Sequence, residues 1–168
     1  MQHTKTFIWR SLSIVVILTT AVMAASAQAA TVTSTNDYPT TLQSGESANH
    51  QVVFTTPSGA AEGTTILLTF DSNFDTSSIS ENDVDIDDDG TDLSTASDCS
   101  GTEQASVAVA SDVVTITICS GDGGAIAATS EVTIEVGINA TSSGTGINQV
   151  TNPSSVGTYF VSLSGTFG

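Results

Sequence analysis

The chain has 168 residues and carries 18 acids against 2 bases, a formal net charge of −16. Both bases, Lys5 and Arg10, precede residue 30, so the rest of the chain holds every acid and no Lys or Arg. That balance excludes nucleic-acid binding, which needs cations to displace phosphate counterions. It also leaves buried carboxylates no Lys or Arg to pair with.

Residues 1–29 have the order of a secretory signal: Lys5 and Arg10, then an uncharged run from Leu12 to Ala25, then Ala27-Gln28-Ala29 as a small-x-small cleavage site. The apolar run is about 15 residues, and a membrane span needs roughly 20. No later stretch is apolar enough to span, so the mature chain is expected to have no membrane span. It is expected outside the cell, at the cell surface or in a periplasm.

Residues 30–46 are polar and read as an N-terminal arm. Residues 47–168 read as a single domain of short strands separated by turn residues. Val52-Val53-Phe54 lies in the first strand, which Pro57-Ser58-Gly59 ends. Ile66, Leu68 and Phe70 share a face of the next. Val84 and Ile86 alternate with Asp83, Asp85 and Asp87, so the acids are expected to face water. Val107 and Val109 meet Val114, Ile116 and Ile118 across Ser111-Asp112, a predicted hairpin. Val132, Ile134, Val136 and Ile138 line one face, and Tyr159, Val161 and Leu163 another, with Phe160 opposite. Such a chain, with no amphipathic helix, predicts an all-β fold: an immunoglobulin-like antiparallel β-sandwich of about seven to eight strands, with a closed barrel as the alternative.

Cys99 and Cys119 are the only cysteines. In an exported chain an even pair is expected to form a disulfide. The bridge would pin the polar loop 94–104 to the end of a strand.

The acidic run Asp83–Asp92 contains D-x-D-x-D-G from Asp85 to Gly90, which resembles the first half of a calcium loop. Asp85, Asp87 and Asp89 are therefore candidate Ca²⁺ ligands, although the twelfth loop position is Ala96 rather than Glu. The competing reading is a strand and turn with solvated carboxylates. No other cofactor is expected.

Catalytic patterns are missing. The one imidazole outside the signal is His50, set in a strand beside Val52 and Phe54, and no G-x-S-x-G elbow is present. Gly121-Asp122-Gly123-Gly124 carries no Lys and reads as a turn. The mature chain is not expected to be an enzyme.

The segments V-V-F-T-T-P-S-G (52–59), G-T-T-I-L-L-T-F (63–70) and N-P-S-S-V-G-T-Y-F-V-S-L (152–163) resemble small Ig-like modules of secreted bacterial surface proteins. The resemblance implies a surface or matrix location and adhesive or structural use, and it carries no site residues. A thinner likeness is to chaperone-assembled pilins, through the penultimate Phe167. The expected function is a secreted or cell-surface structural or adhesive protein, a subunit of an extracellular matrix or filament. Its partners would be other surface proteins or itself. The alternative is a calcium-stabilised extracellular module that binds a ligand or glycan.

Overall fold

The computed structural model describes residues 32–167, and the segment 1–29, expected to be a secretory signal, lies outside them. The chain is an all-β sandwich of two five-stranded sheets with a short two-stranded ribbon at one end. The strands, in chain order, are β1 (Thr33–Asp37), β2 (Ser47–Ala48), β3 (His50–Thr56), β4 (Thr65–Phe70), β5 (Val84–Asp88), β6 (Thr91–Leu93), β7 (Thr95–Ala96), β8 (Ala105–Ala110), β9 (Val113–Ile118), β10 (Ser130–Val136), β11 (Val150–Thr151) and β12 (Val161–Gly165). The first sheet runs β1-β3-β10-β5-β6, the second β12-β4-β9-β8-β7, and β2 pairs with β11 in the ribbon.

Period-2 alternation builds the core, because successive side chains of a strand point to opposite faces. Val52 and Phe54 of β3, Val84 and Ile86 of β5, and Val132, Ile134 and Val136 of β10 are buried from one side. Ile66, Leu68 and Phe70 of β4, and Val114, Ile116 and Ile118 of β9, are buried from the other. Phe167 closes the same core, with its ring centroid 5.9 Å from that of Phe54.

The β8–β9 hairpin turns at Ser111-Asp112 as its alternation predicts, with Ala110 opposite Val113. Other expectations shift. The polar arm is partly a strand: β1 pairs with β3, with an irregularity between Thr33 and Asn36. The sandwich also has more strands than the alternation shows, because β2, β6, β7 and β11 are two or three residues long. A strand that short has no period to display. One pairing, β7 with β8, is parallel. Ile138 leaves the β10 face, since the strand ends at Val136 and Gly137 follows with φ +132°; the Ile138 side chain is exposed.

Charge is sorted by sheet. Strands β12, β4, β9, β8 and β7 contain no charged residue, whereas β1, β5, β6 and β10 carry Asp37, Asp85, Asp87, Asp88, Asp92, Glu131 and Glu135.

Candidate functional site

The acidic run does not gather around one point. Val84 and Ile86 face the core as expected, but Asp83 and Asp85 are buried rather than solvated, at 0% and 2% exposure. Lacking any basic partner, both are satisfied by hydrogen-bond donors, most of them backbone amides. The segment 142–148 folds back over the outer face of β5 and supplies most of these. Asp83 Oδ1 accepts the N–H groups of Ile147 (2.8 Å) and Asn148 (2.9 Å). Its Oδ2 accepts Ser80 N–H (2.9 Å), Ser80 Oγ–H (2.8 Å) and the Asn148 side-chain amide (3.0 Å). Asp85 Oδ2 accepts Ser142 N–H (2.8 Å), and its Oδ1 accepts Ser143 N–H (3.2 Å) and Gly144 N–H (2.7 Å). Gly144 is buried against Asn82, whose carbonyl oxygen would collide with a Cβ there. Burial alone would raise the pKa of Asp83, but the donors from Asn148, Ile147 and Ser80 outweigh it and hold it at about 2.

Asp87 lies on the same outer face without such donors. Cross-strand pairing places it opposite Asp92, and Asp85 opposite Glu135. Burial, then the charges of Asp92 and Asp85, raise the pKa of Asp87. Burial, then Asp87 and Asp85, raise that of Glu135, partly offset by a bond from the Gln51 amide. Asp89 sits in the β5–β6 turn at φ +49° and accepts Glu131 N–H at 2.9 Å. The proposed Ca²⁺ set of Asp85, Asp87 and Asp89 is thus divided among a loop anchor, a repelled surface carboxylate and a turn. Among the described residues no group of three or more His, Cys, Asp or Glu side chains is arranged to hold a metal.

Cys99 and Cys119 form a disulfide with Cα atoms 5.4 Å apart, tying the loop after β7 to the end of β9. Cys119 N–H also bonds the Gln104 carbonyl at 2.9 Å, so the loop is held at both ends.

Sequence reasoning treated His50 as an isolated strand residue and missed its surroundings. Its side chain is buried at 1% exposure, packed edge-on against Phe70 (5.1 Å) and Phe74 (5.7 Å). Its Nδ1 lies 2.8 Å from Asp37 Oδ2. With Asp37 as acceptor, Nδ1 donates this bond, and Nε2 on the other side of the ring is buried. Nε2 has no hydrogen-bond partner among the described residues, so no nucleophilic hydroxyl is engaged there.

His50 and Asp37 line a groove of about 570 Å³, with Phe74, Tyr159 and Phe160 among its walls. Leu42, Val156 and Phe160 line it too while remaining 86%, 96% and 68% exposed. These are three of the six large apolar side chains that the described surface exposes. The only sequence signal for the groove was the run of uncharged residues from Asn152 to Leu163; its other wall comes from residues 37–44.

No family model matches the chain, and none of the curated proteins does. A solved structure, that of BcpA, the major pilin subunit of Bacillus cereus, matches with 12% identity and a TM-score of 0.38. The match covers 64% of this chain and 29% of the pilin subunit.

Proposed function

We propose that this chain is a secreted or cell-surface structural or adhesive module that works by non-covalent contact rather than catalysis. The carrying observation is the groove between residues 37–44 and 152–161. A surface otherwise rich in carboxylates there becomes apolar, with Leu42, Val156 and Phe160 left in water. Contiguous exposed apolar surface marks interaction sites. The disulfide and the loop anchored by Asp83 and Asp85 support the same reading, because they stiffen a display scaffold. The signal-like order of residues 1–29 supports a location in the extracellular space, at the surface or in a periplasm, and on this reading the partners are surface proteins or the chain itself.

The test is electron microscopy of native extracellular material, with the chain located by antibody. Labelled filaments or matrix are expected. A chain recovered only as a free monomer that binds a defined glycan would favour the second reading, an extracellular ligand-binding module. The observation behind that reading is the groove itself, walled by Phe74, Tyr159 and Phe160 and lined by His50 and Asp37.

A further inference from the structure

The two five-stranded sheets end in four outer strands, and three of them are blunted. Strand β1 is broken by an irregularity between Thr33 and Asn36, with Ser34 at φ +54°, and it ends on Asp37. Strand β6 has three residues and carries Asp92. Strand β7 has two residues and leads into the disulfide-bound loop. Short length, charge and bulges are the devices by which β-proteins protect an edge from pairing with other chains.

Strand β12 has none of them. Its five residues Val161-Ser162-Leu163-Ser164-Gly165 are uncharged and pair with Phe70 through Ile66 in unbroken register. Asp71 N–H bonds the Phe160 carbonyl and Thr166 N–H bonds the Thr65 carbonyl. Alternation between those two points turns the main-chain groups of Ser162 and Ser164 toward β4. It leaves the N–H and C=O of Val161, Leu163 and Gly165 directed outward.

We infer that this edge of β12, unpaired among the described residues, pairs antiparallel with β12 of a second copy of the chain, about a two-fold axis at Leu163. The inference names the partner in the assembly proposed above and rests on that reading. The first argument is the strand's own symmetry. Centred on Leu163, Ser162 falls opposite Ser164 of the other copy, Leu163 opposite Leu163, and Val161 opposite Gly165. The half-buried residues that pack on the core then continue the inner face, and the exposed serines continue the outer one. The outward groups of Val161, Leu163 and Gly165 supply roughly six hydrogen bonds across the axis. Such an isologous contact is closed and self-complementary.

The second argument is electrostatic. All 18 acids lie between Asp37 and Glu135. Two copies repel wherever their carboxylates approach within a Debye length, about 8 Å at physiological salt. The sheet that ends in β12 has no charged residue on any strand, so joining two such sheets edge to edge brings no carboxylate on either sheet into the seam. Phe160, exposed beside the start of β12, is placed to be covered at the same time.

The test uses the exported chain in sedimentation equilibrium at physiological salt, with amide hydrogen exchange read by NMR. The wild type is expected to double its mass as concentration rises. Exchange at Val161, Leu163 and Gly165 should slow at least tenfold on association, while Ser162 and Ser164 are protected throughout. In the double variant Ser162→Glu/Ser164→Glu each new carboxylate meets another across the axis, and the dimer should be lost. Both positions are exposed in the monomer, so circular dichroism should stay that of the wild type. A control of equal charge, Ser58→Glu/Ser100→Glu, should keep the dimer. Mixing the Glu variant with Ser162→Lys/Ser164→Lys should restore a heterodimer. Three results would overturn the inference: a wild type that stays monomeric, association that survives the Glu variant, or exchange at the three amides that ignores concentration. The assembly reading fails separately. Native filaments that still incorporate the Glu variant leave that reading standing and remove this contact, whereas a chain absent from any filament or matrix removes both.

Discussion

Asp83→Asn tests whether a buried carboxylate can be held charged by neutral donors, chiefly backbone amides. Its pKa of about 2 against an ordinary 3.8 corresponds to about 2 kcal/mol of native-state preference for the ionised form. The substitution keeps shape but replaces one oxygen by an NH₂ group that faces donors of Ser80 or Asn148. Unsatisfied buried donors add to the loss, so the expected destabilisation at pH 7 is about 2–4 kcal/mol. The sign with pH follows from the lowered pKa. The stabilisation is present above the unfolded-state value near 3.8 and is lost as pH falls through about 2. Urea denaturation at pH 7, 4, 3 and 2 should therefore show wild type and variant converging by about 2 kcal/mol between pH 4 and pH 2. A gap that stays constant over that range would refute the reasoning, because Asp83 would then carry no native-state charge preference.

Glu135→Gln should stabilise the fold at neutral pH by about 0.5 kcal/mol, since its raised pKa reflects burial and repulsion from Asp87 and Asp85. A raised carboxylate pKa makes its stabilising contribution at low pH and loses it as pH rises, so the gain should vanish near pH 4 in thermal melts. Asp37→Ala leaves the buried Nδ1–H of His50 without its acceptor and should cost about 1–3 kcal/mol in chemical denaturation; an unchanged midpoint would mean that the pair does not form. Replacing both Cys99 and Cys119 by Ser opens the loop they close and should cost roughly 3 kcal/mol. Non-reducing mass spectrometry should find no alkylatable thiol in the wild type.

Alternation made the sandwich legible. Ile66-Leu68-Phe70 and Val132-Ile134-Val136 announce a core face because burial and period coincide along a single strand. The disulfide was legible from the pairing rule alone. The acidic run was misread because alternation says which way a side chain points and not what covers it. Asp85 does point away from the core, but residues 142–144, nearly sixty positions later, lie over it. The spread of Asp85, Asp87 and Asp89 was hidden for the same reason, since their spacing is fixed locally while the donors to Asp85 and Asp89 come from residues 131 and 142–144. The groove was hidden because residues 37–44 and 152–161 form it jointly, and nothing in either segment announces the other.

The loop that covers Asp85 has a consequence for how this chain can vary. Asp83 and Asp85 recognise it mainly through amides, which every residue except proline possesses. The side chains of Ser142, Thr145 and Ile147 point into water and take no part in that recognition. Their identities are free to drift, while Gly144 is fixed by its neighbours and the two aspartates by their donors. A segment can thus look unconstrained along its length and still be held in one conformation, with the instruction for its shape carried by two residues in a different strand of text.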